Sequence, residues 1–393
     1  MGLLHVGVGQ EGEAAVVALA SILDAEKAEV HAVAVNGGRR RRLVSSSSSP
    51  PPSPDAALEA MRKSVEAIDY LEGTSVAHEL EDGFAARLLE AVRDAYPRPQ
   101  LLSVTSGAGL AQGSALDSYG RLFGLAAVQA NADASVLLDG ALSGGAAAKE
   151  LAGLLAPRCV QGGGGGRCWA TFDACRFVRS VCPLPECKLL RLRGCEPPRG
   201  SPGISWSALS AHLVRGRASS GSTAAPGGSA AVRRARKQCL ALQLVVRGDA
   251  APAAAAATRR RRPRGQRATP TAFAAPGVEG ERLSPGSFAA EAGEVAVRLR
   301  SALCPVRWNP APLDVLRSTG RALPSQGVER SLTLAANRLD AVDVFWDCLR
   351  RSELSYRSGA FVHWYGADAA GAFEGAFDAH AASIESYLRL AAP

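Results

Sequence analysis

The chain has 393 residues, 47% of them hydrophobic, enough for two or three domains and a sizeable core. Its net charge of +8 comes from two arginine runs, Arg39 to Arg42 and Arg259 to Arg262 with Arg264 and Arg267; taking those ten from +8 leaves a body at −2. Both runs border low-complexity sequence and neither is interleaved with aromatic residues, so they read as solvated insertions rather than a nucleic-acid surface.

Arginine outnumbers lysine 40 to 5 and alanine and glycine are abundant, so single Arg and Ala positions carry little information. The nine cysteines form no Cys-x-x-Cys pair; Cys168, Cys175 and Cys182 recur every seven residues, which suits reduced cytosolic thiols better than a zinc site. No basic-then-apolar leader and no eighteen-residue apolar run is present, so secretion and membrane spanning are not expected.

In chain order, Leu3 to Val8 predicts a strand, Gly9-Gln-Glu-Gly12 a turn, and Glu13 to Leu23 a helix with Val16, Val17, Leu19, Ala20 and Leu23 inside. Val30 to Val35 predicts a second strand, and residues 37–56 a Gly-, Arg-, Ser- and Pro-rich loop. Phe84 to Tyr96 reads as a helix, Leu101 to Val104 as a strand, Tyr119 to Gln129 as a helix and Ser135 to Leu138 as a strand. Strands alternating with helices predict a parallel α/β domain.

Beyond the break at Gly162 to Gly166, helices are expected over Phe172–Val181 and Trp206–Leu213, and strands over Lys188–Leu192, Cys239–Val246 and Ser331–Ala335. Insertions interrupt this half at about 215–236 and 250–285. Leu339, Val342, Phe345, Trp346 and Leu349 mark an amphipathic helix. The aromatic run Ala360-Phe-Val-His-Trp-Tyr365 follows, then a helix with an apolar stripe at Phe373, Phe377, Ala381, Ile384 and Leu388. His363 has no nucleophile pattern beside it and is expected to pack between Trp364 and Tyr365.

A strand, then Gly9-Gln10-Glu11-Gly12, then a helix is a geometry that can hold phosphate, because glycine lets backbone approach an anion and the helix start offers free N–H groups. Any strand-to-helix turn favours glycine, so the packing explanation stands beside this one.

His5-Val-Gly-Val-Gly-Gln-Glu-Gly12, His31 to Asn36, Ala95-Tyr-Pro97, Asn131-Ala-Asp133, Leu137-Leu-Asp139, Cys182-Pro-Leu-Pro185, Ser331 to Asn337 and the run at Ala360 to Tyr365 occur in an order that resembles the tubulin superfamily. Within it, Pro183-Leu-Pro-Glu-Cys-Lys-Leu-Leu190, Ile204 to Leu213 and Leu242 to Asp249 are most similar to delta-tubulin. The resemblance covers most of residues 1–36 and 84–393 outside the insertions.

It implies an α/β fold in three parts. These are a Rossmann-type, parallel-sheet GTPase domain at 1–156, an intermediate α+β domain at 157–330, and a C-terminal strand and helical hairpin at 331–393. It also implies GTP, with a magnesium ion, against Gly9, Gln10, Glu11, Gly12, Tyr119 and Asp139. Gln10 takes the place of the glutamine that contacts phosphates and metal, and Glu11 replaces a cysteine near the base. The implied work is microtubule, centriole or basal-body and cilium organisation in the cytoplasm and cytoskeleton, with the nucleus also admitted. Other tubulins and centriole proteins would be the partners, and no membrane is implied.

Several positions depart from the family. Its glycine-rich phosphate loop falls on His78-Glu-Leu-Glu-Asp-Gly83, where carboxylates would face a triphosphate. The metal-associated glutamate falls at Gly38, and the two base-contacting asparagines at Gly120 and Gly140. Between Gly140 and Leu151 the chain is too short for the family's core helix and the next one, so the interface between the first two domains is expected to open. In the loop that meets a neighbour's nucleotide, Asp173 is kept, but Arg176 stands where a hydrolysis-promoting glutamate would, and a cation cannot act as general base. Three functions are therefore carried forward: a delta-tubulin-like GTP-binding protein, a pseudo-GTPase homologue that no longer binds nucleotide, and an Arg-rich nucleic-acid-associated protein.

Overall fold

The computed structural model describes residues 2–25, 31–35, 54–66, 68, 70–106, 113–138, 145–161, 167–197, 204–215, 238–248, 288–320, 322–323, 327–366 and 369–391. Both arginine runs and Asp139 lie outside them.

The first half alternates β1 (Gly2–Val8), α1 (Gly9–Ala25), β2 (His31–Val35), α2 (Pro54–Val65), β3 (Leu71–His78), α3 (Gly83–Ala95), β4 (Gln100–Ser106), α4 (Ala115–Asn131), β5 (Ala134–Leu138) and α5 (Gly145–Leu155). A hairpin of β6 (Arg158–Gln161) and β7 (Arg167–Ala170) follows, then α6 (Ala174–Val181), β8 (Leu189–Cys195), α7 (Trp206–Arg215) and β9 (Cys239–Arg247). The chain continues through α8 (Phe288–Leu303), β10 (Leu313–Ser318), β11 (Ser331–Arg338), α9 (Ala341–Arg357), a 3-10 turn (Val362–Tyr365) and α10 (Ala369–Ala391). The fold is thus α/β, as the alternation predicts.

One sheet of nine strands runs in the order β10-β9-β11-β8-β5-β4-β3-β1-β2. All neighbours are parallel except that β11 is antiparallel to β8 and β9. The interface expected to open is instead closed by backbone, because β5 pairs directly with β8, Ser135 opposite Leu189 through Leu138 opposite Leu192. The edge of β5 takes its hydrogen bonds from β8, since buried N–H and C=O groups must be paired.

Both faces of the sheet are covered, as a parallel sheet requires. Helices α1, α5 and α6 cover one face around Leu102, Val104, Val136 and Leu190. On the other, α2, α3 and α4 with the C-terminal helices meet Leu4, Val6, Val76 and Leu101, while α7 and α8 meet Leu242, Leu244 and Leu334. Every residue of β9 is buried. Its last, Arg247, donates from Nε to the Gly153 carbonyl at 2.9 Å, from Nη1 to Pro157 at 2.8 Å, and from Nη2 to Ala156. A cation there satisfies the carbonyls at the end of α5 and complements its dipole.

Helices α9 and α10 form an antiparallel pair, with Phe345 near Tyr387 and Tyr356 near Phe373. The buried seam of α10 runs through Phe373, Ala376, His380, Ile384 and Tyr387, whereas Ala381 and Leu388 face outward, one step round the helix from the expected stripe. Val17 of α1 and Trp346 of α9 are likewise exposed rather than inside. In each case the face is chosen by the neighbouring helix, which sequence periodicity does not specify.

Candidate functional site

In an open α/β sheet the carboxyl ends of the strands are where ligands meet the fold. There β1 ends and α1 begins at once: Gly9 takes φ +72° and turns the corner in one residue. No separate glycine turn exists, because the left-handed conformation open to glycine does the turning alone. Gln10 is exposed on the first turn of α1, Glu11 is half-buried, and Gly12 is buried against the Ala77 carbonyl.

Beside Gly9 lies the segment after β3. His78 is buried, its Nδ1 donating to the Glu79 carbonyl at 3.0 Å and its Nε2 accepting from the Ser103 hydroxyl at 2.9 Å. Burial lowers its pKa, so the ring is neutral. Leu80 and Glu81 then lie directly on α4: a Cβ at Gly120 would sit 2.9 Å from the Glu81 carbonyl oxygen, and one at Gly124 only 1.9 Å from that of Leu80. Two glycines four apart share one helix face, and their missing side chains form the groove that admits this backbone.

Arg121, between them in sequence, binds Glu81 through Nε at 2.6 Å, with the arginine side chain 8% and the glutamate 32% exposed. Asp82 accepts from the Phe84 N–H at 2.9 Å and so caps α3. Its other oxygen lies 3.4 Å from the place of a Cβ on Gly9. The start of α3 and the start of α1 thus both lie against one internal carboxylate.

This arrangement does not fit a nucleotide triphosphate. The Phe84 N–H at the start of α3 is already taken by Asp82, and a triphosphate there would stand against Glu81 and Asp82. Each like-charge pair at about 4 Å costs roughly 4 kcal/mol at an effective dielectric of about 20. Among the described residues, no group of three His, Cys, Asp or Glu side chains is disposed to hold a metal ion.

Tyr119 is not on this edge. It is fully buried, its hydroxyl donates to the Ala360 carbonyl at 2.9 Å, and its ring meets Phe373 at 4.7 Å and Tyr365 at 5.7 Å. It has no surface to offer a ligand, because the C-terminal aromatic run closes over it. His363, expected to be packed, is exposed at the tip of that run, with Trp364 6.3 Å away.

At the opposite edge, Asp173 caps α6 by accepting from the Arg176 N–H at 2.7 Å, and Glu72 accepts from Ala174 at 2.7 Å. Burial and the neighbouring Asp173 raise the Glu72 pKa. Arg176 is engaged by both oxygens of Asp314, at 2.9 and 3.2 Å.

Sequence reasoning did not select Arg121, Glu81 or Gly124 as partners. The available signal was Gly120-Arg-Leu-Phe-Gly124, a four-residue glycine spacing in a helix that otherwise reads as core. All nine cysteines are free thiols. No described helix is long and apolar enough to cross a membrane. Compared with known protein families and with curated proteins, the sequence matches none.

Proposed function

We propose that this chain is a tubulin-like assembly subunit, most like delta-tubulin in its middle motifs, whose nucleotide position is taken by its own carboxylates. It organises microtubules, centrioles or basal bodies and cilia by contact with other tubulins, in the cytoplasm and cytoskeleton, without GTP turnover. The observation that carries the loss of nucleotide is the seating of Glu81 on Arg121 and of Asp82 at the start of α3, where the resemblance puts phosphate. The tubulin part rests on the colinear motifs, joined by the Tyr119 contact to the C-terminal run. Arg176, bound to Asp314, supports the further reading that the chain does not stimulate hydrolysis on a partner.

Equilibrium binding of labelled GTP with magnesium tests this. No saturable binding is expected. Tight binding that is lost in Gln10→Ala would overturn the reading and restore a GTPase.

A further inference from the structure

Strand β10 ends the sheet and pairs with β9 alone. The Leu242 N–H donates to the Pro312 carbonyl at 2.7 Å and the Gly248 N–H to that of Ser318 at 3.0 Å, so the even-numbered residues of β10 turn toward β9. The N–H and C=O groups of Leu313, Val315 and Arg317 therefore point away from the sheet, and no described residue pairs with them. The next outward N–H, on Thr319, is taken by the Cys159 carbonyl of β6 at 2.9 Å. The hairpin thus closes one end of this edge and leaves the length of β10 open.

Each end of the open edge carries a tryptophan. Trp308 lies in the loop that leaves the ladder between Val306 and Pro312, both bonded to β9, and it is 44% exposed. At the other end Trp169 of β7 lies opposite Cys159 and is 71% exposed. Edge strands are commonly guarded against pairing by a bulge, a row of charge or a covering segment. Among the described residues β10 has none of these. It carries one acid and one base, Asp314 and Arg317, and Asp314 is already engaged by Arg176.

We propose that β10 pairs antiparallel with the β10 of a second copy of this chain, about a two-fold axis at Val315 normal to the sheet. This register sets Val315 opposite itself and Leu313 opposite Arg317, so the outward residues of each copy satisfy one another's N–H and C=O groups. No like charges then stand opposite each other, whereas an axis at Arg317 would oppose two guanidiniums. Antiparallel pairing also brings the Trp308 end of one copy beside the Trp169 end of the other, on both sides of the axis. The two exposed rings of each copy thus find their cover in the same dimer. A strand from another protein would match the backbone, but the second copy also has the aromatic partners in place. The inference does not rest on the nucleotide reading.

Sedimentation equilibrium of the full chain over a concentration series tests it. A reversible dimer is expected and nothing larger, because a two-fold interface closes on itself. Val315→Pro removes an outward N–H that the β9 ladder does not use, so β10 can keep its place while the dimer is lost. Trp169→Glu should weaken dimerisation at least roughly tenfold. A monomer throughout the series would overturn the proposal and leave the edge to another protein's strand. Dimerisation undiminished in both variants would overturn it as well. If Val315→Pro does not fold, amide exchange in the unaltered chain decides: the Leu313, Val315 and Arg317 amides should exchange more slowly as concentration rises, and exchange independent of concentration would refute the pairing.

Discussion

Helix α4 meets the rest of the molecule by two different chemistries. Its Gly120, Arg121 and Gly124 side receives a backbone and a carboxylate, in one groove and one ion pair. Its Tyr119 and Phe123 side meets Tyr365 and Phe373 at ring distances of 4.7 to 5.7 Å. The aromatic side buries large apolar area and has several overlapping contacts. The polar side depends on fixed positions and on one charge pair that solvent reaches through Glu81. The first holds the C-terminal hairpin to the sheet; the second decides what occupies the strand ends. A fold can therefore keep its packing landmarks while its polar site changes, because few residues determine the latter.

Phe373→Ala should have the largest effect, since that buried ring touches Tyr119, Phe123, Tyr356 and Tyr365. A loss of about 3–5 kcal/mol is expected in denaturant unfolding, insensitive to salt. A loss below about 1 kcal/mol would mean that the hairpin is not anchored there.

Acid should weaken the aromatic side next. His380 is buried beside Phe345, its Nε2 has no hydrogen-bond partner, and burial lowers its pKa from 6.5 to about 4. The unfolded chain binds its proton first as pH falls. This contribution is therefore whole above pH 6.5 and lost progressively down to about pH 4, amounting to about 3 kcal/mol. His5, bonded to the Ser75 hydroxyl at 2.7 Å and also lowered to about 4, titrates over the same window. His380→Phe should thus reduce, and not abolish, the slope of stability between those pH values. An unchanged slope would remove His380 from the account.

The polar side should respond least. Arg121→Met is expected to cost about 1–2 kcal/mol, below the value for a fully buried pair because Glu81 can hydrate. A double-mutant cycle with Glu81→Gln should give a coupling near 1 kcal/mol that falls as salt rises. Zero coupling at low salt would show that the groove, and not the ion pair, seats residues 78–83.

Much of the architecture was legible because periodicity reports it. The β1–α1 and α4–β5 units follow from apolar spacing, as does the helix pair at the C-terminus. Strand β3, helix α8 and strand β10 were not assigned from the sequence. Each lies beside an insertion or within polar sequence; β3 carries Ser75 and His78 inside the sheet, where hydrogen bonds to His5 and Ser103 replace apolar packing. Of the expected ligand contacts, Gly9 to Gly12 do lie at the strand ends, while Tyr119 belongs to the aromatic junction. That Arg121 meets Glu81 could not be read from two residues forty apart.

The sequence by itself determined the alternation of strands and helices, the aromatic landmark and the acidic character of residues 79–82. Local propensity and side-chain period act over a few residues, and those features need no more. Only the tertiary structure decided that β5 would pair with β8, and that the acids would lie in a groove made by Gly120 and Gly124. These outcomes depend on which backbone edges and surfaces are left to be satisfied after the elements form, and that is a property of the whole packing.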